Sequence, residues 1–181
     1  MAANDYKIIF TGPVGAGKTT AIASISDIAP IKTDTRASDM TQHKKQQTTV
    51  AMDYGVLKLD EGEQIHLYGT PGQERFDFMW EILTTGGIGL VLLIDNTQDN
   101  PMNDLKFFLN AFKDFIAQTN VVIGVTRMDL AKKPTIEDYR IELKKMSLNP
   151  PLFEVDARQK SDISLLVQAL LFTLDPSIKE N

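Results

Sequence analysis

The stretch Gly12-Pro-Val-Gly-Ala-Gly-Lys-Thr-Thr20 constrains this chain more than any other part of it. It matches the pattern G-x-x-x-x-G-K-S/T, with Gly12, Gly17, Lys18 and Thr19 in the four fixed places. The residues before it, Tyr6 to Phe10, read as a short buried strand, and Thr19 to Ile28, rich in Ala and Ile, reads as a helix. A loop of this kind, entered from a strand and left by a helix, wraps tightly on its glycines. Successive N–H groups then converge on phosphate oxygens, reinforced by the positive end of the helix. Lys18 is expected to reach the β- and γ-phosphates and the Thr19 hydroxyl to ligate Mg²⁺. Val14, Gly15, Ala16 and Thr20 complete the phosphate-facing set. A connecting turn alone has no use for the Gly-Lys-Thr end, so the stretch reads as a nucleotide-phosphate site.

The rest of the chain alternates hydrophobic runs with helical patterns. A polar, loop-like stretch from about Pro30 to Gln47 precedes two runs, Thr49–Leu59 and Gln64–Tyr68. These are separated by the acidic turn Asp60-Glu-Gly-Glu63 and are expected to pair antiparallel. A short helix is expected between Phe76 and Leu83. Then follow a strand at Leu90–Ile94, a helix over about Met102–Ala117, a strand at Asn120–Val125, a helix over about Ile136–Met146, a strand at Leu152–Val155 and a helix over about Ile163–Leu174. This order predicts an α/β domain spanning residues 1–181. Its sheet would have six strands, mostly parallel with one antiparallel edge strand, and helices on both faces. Ligands of such sheets bind at the carboxyl ends of the strands, where every motif of this chain falls.

Composition narrows the partners. A net charge of −5 argues against a general nucleic-acid or anionic-membrane binder. The longest apolar run, Ile88–Ile94, has seven residues, too short to span a bilayer, so no integral membrane segment is expected. There is no cysteine, the Met-Ala-Ala-Asn start lacks a signal peptide, and the Ser-Ile-Lys-Glu-Asn end carries no prenylation motif. A cytoplasmic protein is the expectation.

After the strand ending at Tyr68 comes Gly69-Thr-Pro-Gly-Gln-Glu-Arg-Phe76. This segment resembles the DTAGQERF signature of Ras-like small GTPases, and with Pro71 it is most similar to the bacterial gliding and polarity (Mgl-type) group. The resemblance implies a P-loop NTPase domain that cycles between GTP and GDP with Mg²⁺. It implies that the Gly72 N–H meets the γ-phosphate and that Gln73 orients the attacking water. Arg75 and the aromatics after it would belong to a mobile switch II. Phe76, Phe78, Met79 and Trp80 either seat the next helix or form a partner-docking surface. Gly69 departs from the family, which usually has an aspartate there holding Mg²⁺ through water. The metal would then fall more heavily on Thr19 and a switch I threonine. Thr49, with Asp53 four positions on, fits that role better than Thr48. Arg36, in the same polar stretch, is a candidate arginine finger in cis.

Thr126-Arg-Met-Asp129 resembles the family's N/T-K-x-D base reader. Guanine presents N1–H and N2–H₂ donors, and the Asp129 carboxylate can accept both, whereas adenine has no such pair. Arg127 stands where lysine is usual and would cover the base with its stem or guanidinium plane. Thr126 replaces asparagine. Glu154-Val-Asp-Ala-Arg158 resembles E-x-S-A, which places Asp156, Ala157 and Arg158 at the base with the Ala157 N–H on the guanine O6. Val14 stands where many relatives have glycine, so a branched side chain would crowd the approach of Gln73 and slow hydrolysis. The family further implies a GTPase-activating protein and effectors that bind the switch loops. Two readings stand beside a GTP-hydrolysing switch. One is a GTP-binding interaction module with little turnover, suggested by Gly69 and Val14. The other is an ATP-dependent small-molecule kinase, disfavoured because the TRMD and TPGQ segments have no role there.

Overall fold

The structure, a computed structural model, describes residues 5–36, 49–72 and 77–174, with side chains throughout except at 32–36, 49–51 and 61. Along the chain run β1 (Asp5–Thr11), α1 (Lys18–Ile25), β2 (Ile31–Arg36), β3 (Thr49–Lys58), β4 (Gln64–Gly69), α2 (Asp77–Thr84) and β5 (Gly89–Asp95). They are followed by α3 (Pro101–Ala111), α4 (Lys113–Gln118), β6 (Val121–Thr126), α5 (Ile136–Lys145), β7 (Leu152–Glu154) and α6 (Lys160–Leu174).

The strands form one sheet in the order β2-β3-β4-β1-β5-β6-β7. All neighbours are parallel except β3, which runs antiparallel to both β2 and β4. The architecture is the α/β sheet expected, and all six expected strands are in it. One element differs: the front of the stretch read as loop, Ile31–Arg36, is a seventh strand that pairs with β3. The reversed strand therefore lies one place in from the edge. Ile-Lys-Thr-Asp-Thr-Arg gives little warning of this, because an edge strand needs only a backbone partner and no continuous apolar run.

The central strands are apolar throughout because both their faces are covered. Every residue of β5 and β6 is buried. In β1 successive residues serve opposite layers, as the two-residue period of a strand requires. Ile8 and Phe10 pack with Ile22 and Ile25 of α1 and Ile163, Leu166 and Leu170 of α6. Ile9 packs with Leu90 and Leu92 on the other face, under Leu105 and Phe108 of α3 and Tyr139 and Leu143 of α5. Local chemistry fixes the helix starts. Asn100 accepts from the Asn103 N–H ahead of Pro101, and Thr135 and Asp138 form a reciprocal capping box for α5. The single helix expected over Met102–Ala117 is interrupted at Phe112 and continues as α4.

The Phe76–Trp80 cluster divides. Trp80 is 5% exposed, lies against the rings of Phe107, Phe108 and Phe112, and donates its indole N–H to the Pro71 carbonyl at 3.1 Å. It seats α2 on the sheet, while Phe78 on the same helix is 54% exposed. Phe76 lies outside the described residues. Since β1, β4, β5, β6 and β7 run parallel, the loops following them emerge at one edge of the sheet. The site is built there.

Candidate functional site

The loop after β1 keeps its shape through glycines that no other residue could replace without strain or collision. Gly12 has φ 141°, and a Cβ there would sit 2.1 Å from the Leu93 carbonyl oxygen. Gly17 has φ 100°, and its Cβ would meet that of Ala157 at 2.9 Å. Gly15, at φ 81°, faces open space. The loop closes back on Lys18, which is 8% exposed and donates from Nζ to the Gly12 and Pro13 carbonyls, both at 2.7 Å. Burial lowers the Lys18 pKa to about 8, opposed by the negative charge of Asp53. Val14 points outward and is 59% exposed.

Gly72 comes down on this loop from the end of β4. A Cβ on Gly72 would lie 2.5 Å from the Val14 nitrogen and 2.9 Å from the Lys18 ammonium. The stretch after β4 thus meets the lysine through a residue that has to be glycine. Below it, Thr11 and Thr70 share a buried hydroxyl–hydroxyl hydrogen bond of 2.8 Å.

Thr19 opens α1 with its side chain exposed, and its hydroxyl donates to Asp53 Oδ2 at 2.5 Å. Asp53 is on β3 and in register with Gly69 of β4. The β3 strand continues four residues to Thr49, roughly 13 Å of chain. Among the described side chains, Asp53 is therefore the β3 residue in contact with Thr19. Thr49 pairs with Arg36 across β2 and β3, so Arg36 ends a strand instead of lying in a loop. The side chains of Thr49 and Arg36, and the whole of Thr48, Gln73 and Arg75, lie outside the described residues.

A cavity of about 770 Å³ lies beside the phosphate loop and is lined in part by Gly17, Thr20, Arg127, Asp129, Ala157 and Arg158. Two loops far apart in sequence, one after β6 and one after β7, form it around the start of α1. Ala16, Thr126 and Asp156 also border it. The Thr126 hydroxyl donates towards the Ala16 and Ile94 carbonyls, at 3.2 and 3.3 Å. Arg127 has a left-handed backbone, φ 59°, and its guanidinium donates to the Gly15 carbonyl at 2.9 Å and to Asp95. It thus ties the β6 loop to the phosphate loop. Asp129 is exposed and borders the open cavity. Asp156 and Arg158 pair with each other, with contacts of 2.7–3.2 Å. Hydrogen bonds from Arg158 pull the Asp156 pKa down to about 2.

Two participants escaped the sequence reading. Asp95, fully buried at the end of β5, anchors Arg127 and accepts from the Thr97 N–H and hydroxyl. Burial opposes its ionisation, yet the hydrogen bonds from Thr97 and Gln98 and the charge of Arg127 outweigh this and hold its pKa below the ordinary value. Its signal was an acid closing an otherwise apolar strand. Asp162, at the start of α6, accepts from the Asp156 N–H at 2.9 Å and braces the loop after β7.

Comparison with known proteins adds relatives. Residues 29–174 match the family described as "Conserved hypothetical ATP binding protein", a stretch that begins after the phosphate loop. The chain is 24% identical over 179 residues to the GTP-binding protein ypt1 of Schizosaccharomyces pombe, covering 97% of this chain and 80% of that protein. It is 23% identical over 167 residues to the Ras-related protein Rab-13 of Canis lupus familiaris, covering 87% and 74%. It is 20% identical over 182 residues to the Ras-related protein RabC of Dictyostelium discoideum, covering 97% and 87%.

Proposed function

The chain belongs to the family described as "Conserved hypothetical ATP binding protein", and within it we propose a guanine-nucleotide switch that hydrolyses GTP to GDP. The observation that carries this reading is the placement of Asp129 on a cavity continuous with the phosphate loop, joined to it by Arg127 on Gly15 and Thr126 on Ala16. A carboxylate there rewards the paired N–H donors of guanine and leaves adenine unmatched, at a cost of about 1–3 kcal/mol. The similarity to ypt1 and Rab-13 supports it; the family's own description speaks of ATP. Competition between GTP and ATP for a fluorescent guanine nucleotide separates the two.

In this proposal Gly12, Val14, Gly15, Ala16, Gly17, Lys18 and Thr20 surround the phosphates. Lys18 exchanges its two carbonyl partners for phosphate oxygens, and the Gly72 N–H reports the γ-phosphate. Thr126, Arg127, Asp156, Ala157 and Arg158 frame the base. Mg²⁺, held in part by Thr19, would neutralise charge on the β- and γ-phosphates, and for Thr49 to join Thr19 on it the start of β3 would have to leave its pairing with Arg36. Gln73 orients the attacking water, and Arg36 is the finger in cis. Among the described residues no helix is long and apolar enough to cross a membrane. A cytoplasmic setting, an activating protein and effectors docking on the switch loops, as the resemblance to the Mgl-type group implies, belong to the same proposal.

Hydrolysis is tested by single-turnover phosphate release. The Gln73→Leu variant should keep nucleotide affinity while release slows about tenfold or more, a barrier change of roughly 1.4 kcal/mol. Equal release by both proteins would remove Gln73 from the mechanism. No release from either would leave the interaction-module reading in its place.

The charge state of Lys18 gives a second test. Its pKa of about 8 lies below the ordinary lysine value, so Lys18 sheds a proton as pH rises through 8. Phosphate oxygens favour the ammonium and push the value back up. Nucleotide binding should therefore take up about half a proton at pH 8, nearly one at pH 9 and almost none at pH 6. Calorimetry in buffers of different ionisation enthalpy measures this uptake. No exchange at pH 8 would show that the lysine does not change its surroundings on binding.

A further inference from the structure

Position 69 lacks the carboxylate that the resemblance leads one to expect, and the strand beside it supplies one. Residues directly opposite in an antiparallel pair lie within reach of each other's side chains. Asp53 is opposite Gly69, and its side chain crosses over the glycine. A Cβ on Gly69 would sit 3.0 Å from Asp53 Cβ, 3.2 Å from Asp53 Oδ2 and 3.1 Å from Ile22 Cδ1. The space that a side chain at 69 would enter is thus already filled, and an Asp53 oxygen occupies part of it. That oxygen accepts from the Thr19 hydroxyl at 2.5 Å.

We propose that Asp53 is the carboxylate of the divalent-cation site, carried on β3 instead of β4, and that Gly69 is the residue that makes room for it. This rests on the reading of the phosphate loop as a Mg²⁺–nucleotide site. The donor set fits: Mg²⁺ is commonly held by one or two carboxylates together with the phosphates of its ligand. Among the described residues no group of three or more His, Cys, Asp or Glu could hold a metal alone. A hydroxyl and a single carboxylate beside a phosphate loop are what such an ion needs from the protein. The Thr19–Asp53 hydrogen bond already brings the hydroxyl and the carboxylate together. A bound Mg²⁺ would be held by the Thr19 hydroxyl and the Asp53 carboxylate together with the nucleotide phosphates.

The experiment measures metal affinity, not turnover. The chain is loaded with a fluorescent GDP, and its release is followed as free Mg²⁺ is lowered with EDTA. Asp53→Asn should raise the Mg²⁺ concentration for half-maximal retention at least tenfold, while nucleotide affinity without Mg²⁺ is unchanged or stronger. Gly69→Asp alone should also weaken Mg²⁺, because its side chain collides with Asp53. The double change Asp53→Gly with Gly69→Asp should restore at least part of the loss, by returning the carboxylate to β4. Thermal melting identifies folded variants, and the double variant keeps the test decisive even if one single change unfolds. Asp53→Asn with unaltered Mg²⁺ dependence, or a double variant worse than either single one, overturns the proposal while leaving the nucleotide site standing. Failure of the unaltered chain to bind any guanine nucleotide overturns the underlying reading, and the cation site with it.

Discussion

Replacing Asp129 with asparagine is expected to lower the affinity for GTP about a hundredfold, roughly 2.7 kcal/mol, and to raise that for xanthosine triphosphate. The carboxylate offers two acceptors to the two guanine donors. Asparagine keeps one acceptor and turns the other into an NH₂, which then faces a donor. Xanthine carries a carbonyl oxygen where guanine carries its amino group, so the same change creates a match with that base. The side chain is exposed at the rim of its cavity and braces nothing in the core, so the fold should not suffer. Competition binding with GTP, xanthosine triphosphate and ATP measures all three affinities at once. Unchanged GTP binding would mean that another group reads the base. A gain for ATP would show that the carboxylate is the group that excludes adenine from the unaltered site.

The second large effect falls on the fold. Gly12→Ala is expected to destabilise the protein by about 2–6 kcal/mol, from left-handed backbone strain together with overpacking. Its Cβ would stand 2.1 Å from the Leu93 carbonyl oxygen, a backbone atom of the central strand β5 that no rotamer change can move aside. The loss is a large part of an ordinary domain stability of about 5–15 kcal/mol. Gly15→Ala supplies the comparison. It carries the same kind of strain at φ 81° but meets nothing within 4 Å, and should cost only about 1–2 kcal/mol. Urea unfolding of the two variants separates collision from strain. Equal midpoints would show that β5 yields to the added methyl, and that the glycine at 12 serves the ligand alone.

The sequence by itself determined the order of elements apart from β2 and the break between α3 and α4, the α/β class and the place of the motif loops. The reason is local. A strand buried on both faces, like β5, must be apolar at every position, a phosphate loop must have glycine where φ is positive, and a capping box announces its helix within four residues. Such constraints are written where they act. The edge strand β2 escaped because its partner is a backbone, and backbone hydrogen bonds select no side chain. The fate of Trp80 was equally open, since an aromatic residue after a switch-like segment can seat a helix or receive a partner. Only the packing of Phe107, Phe108 and Phe112 decided for burial. The site divided along the same line. Lys18 and Thr19 could be named from the loop's pattern and Asp129 from the resemblance of its segment, but Asp95 gained its role only when the sheet brought β5 next to β6 and under Arg127. The gap left by Gly69 looked like a missing charge along the chain. Strand register, which no single strand contains, laid Asp53 across it.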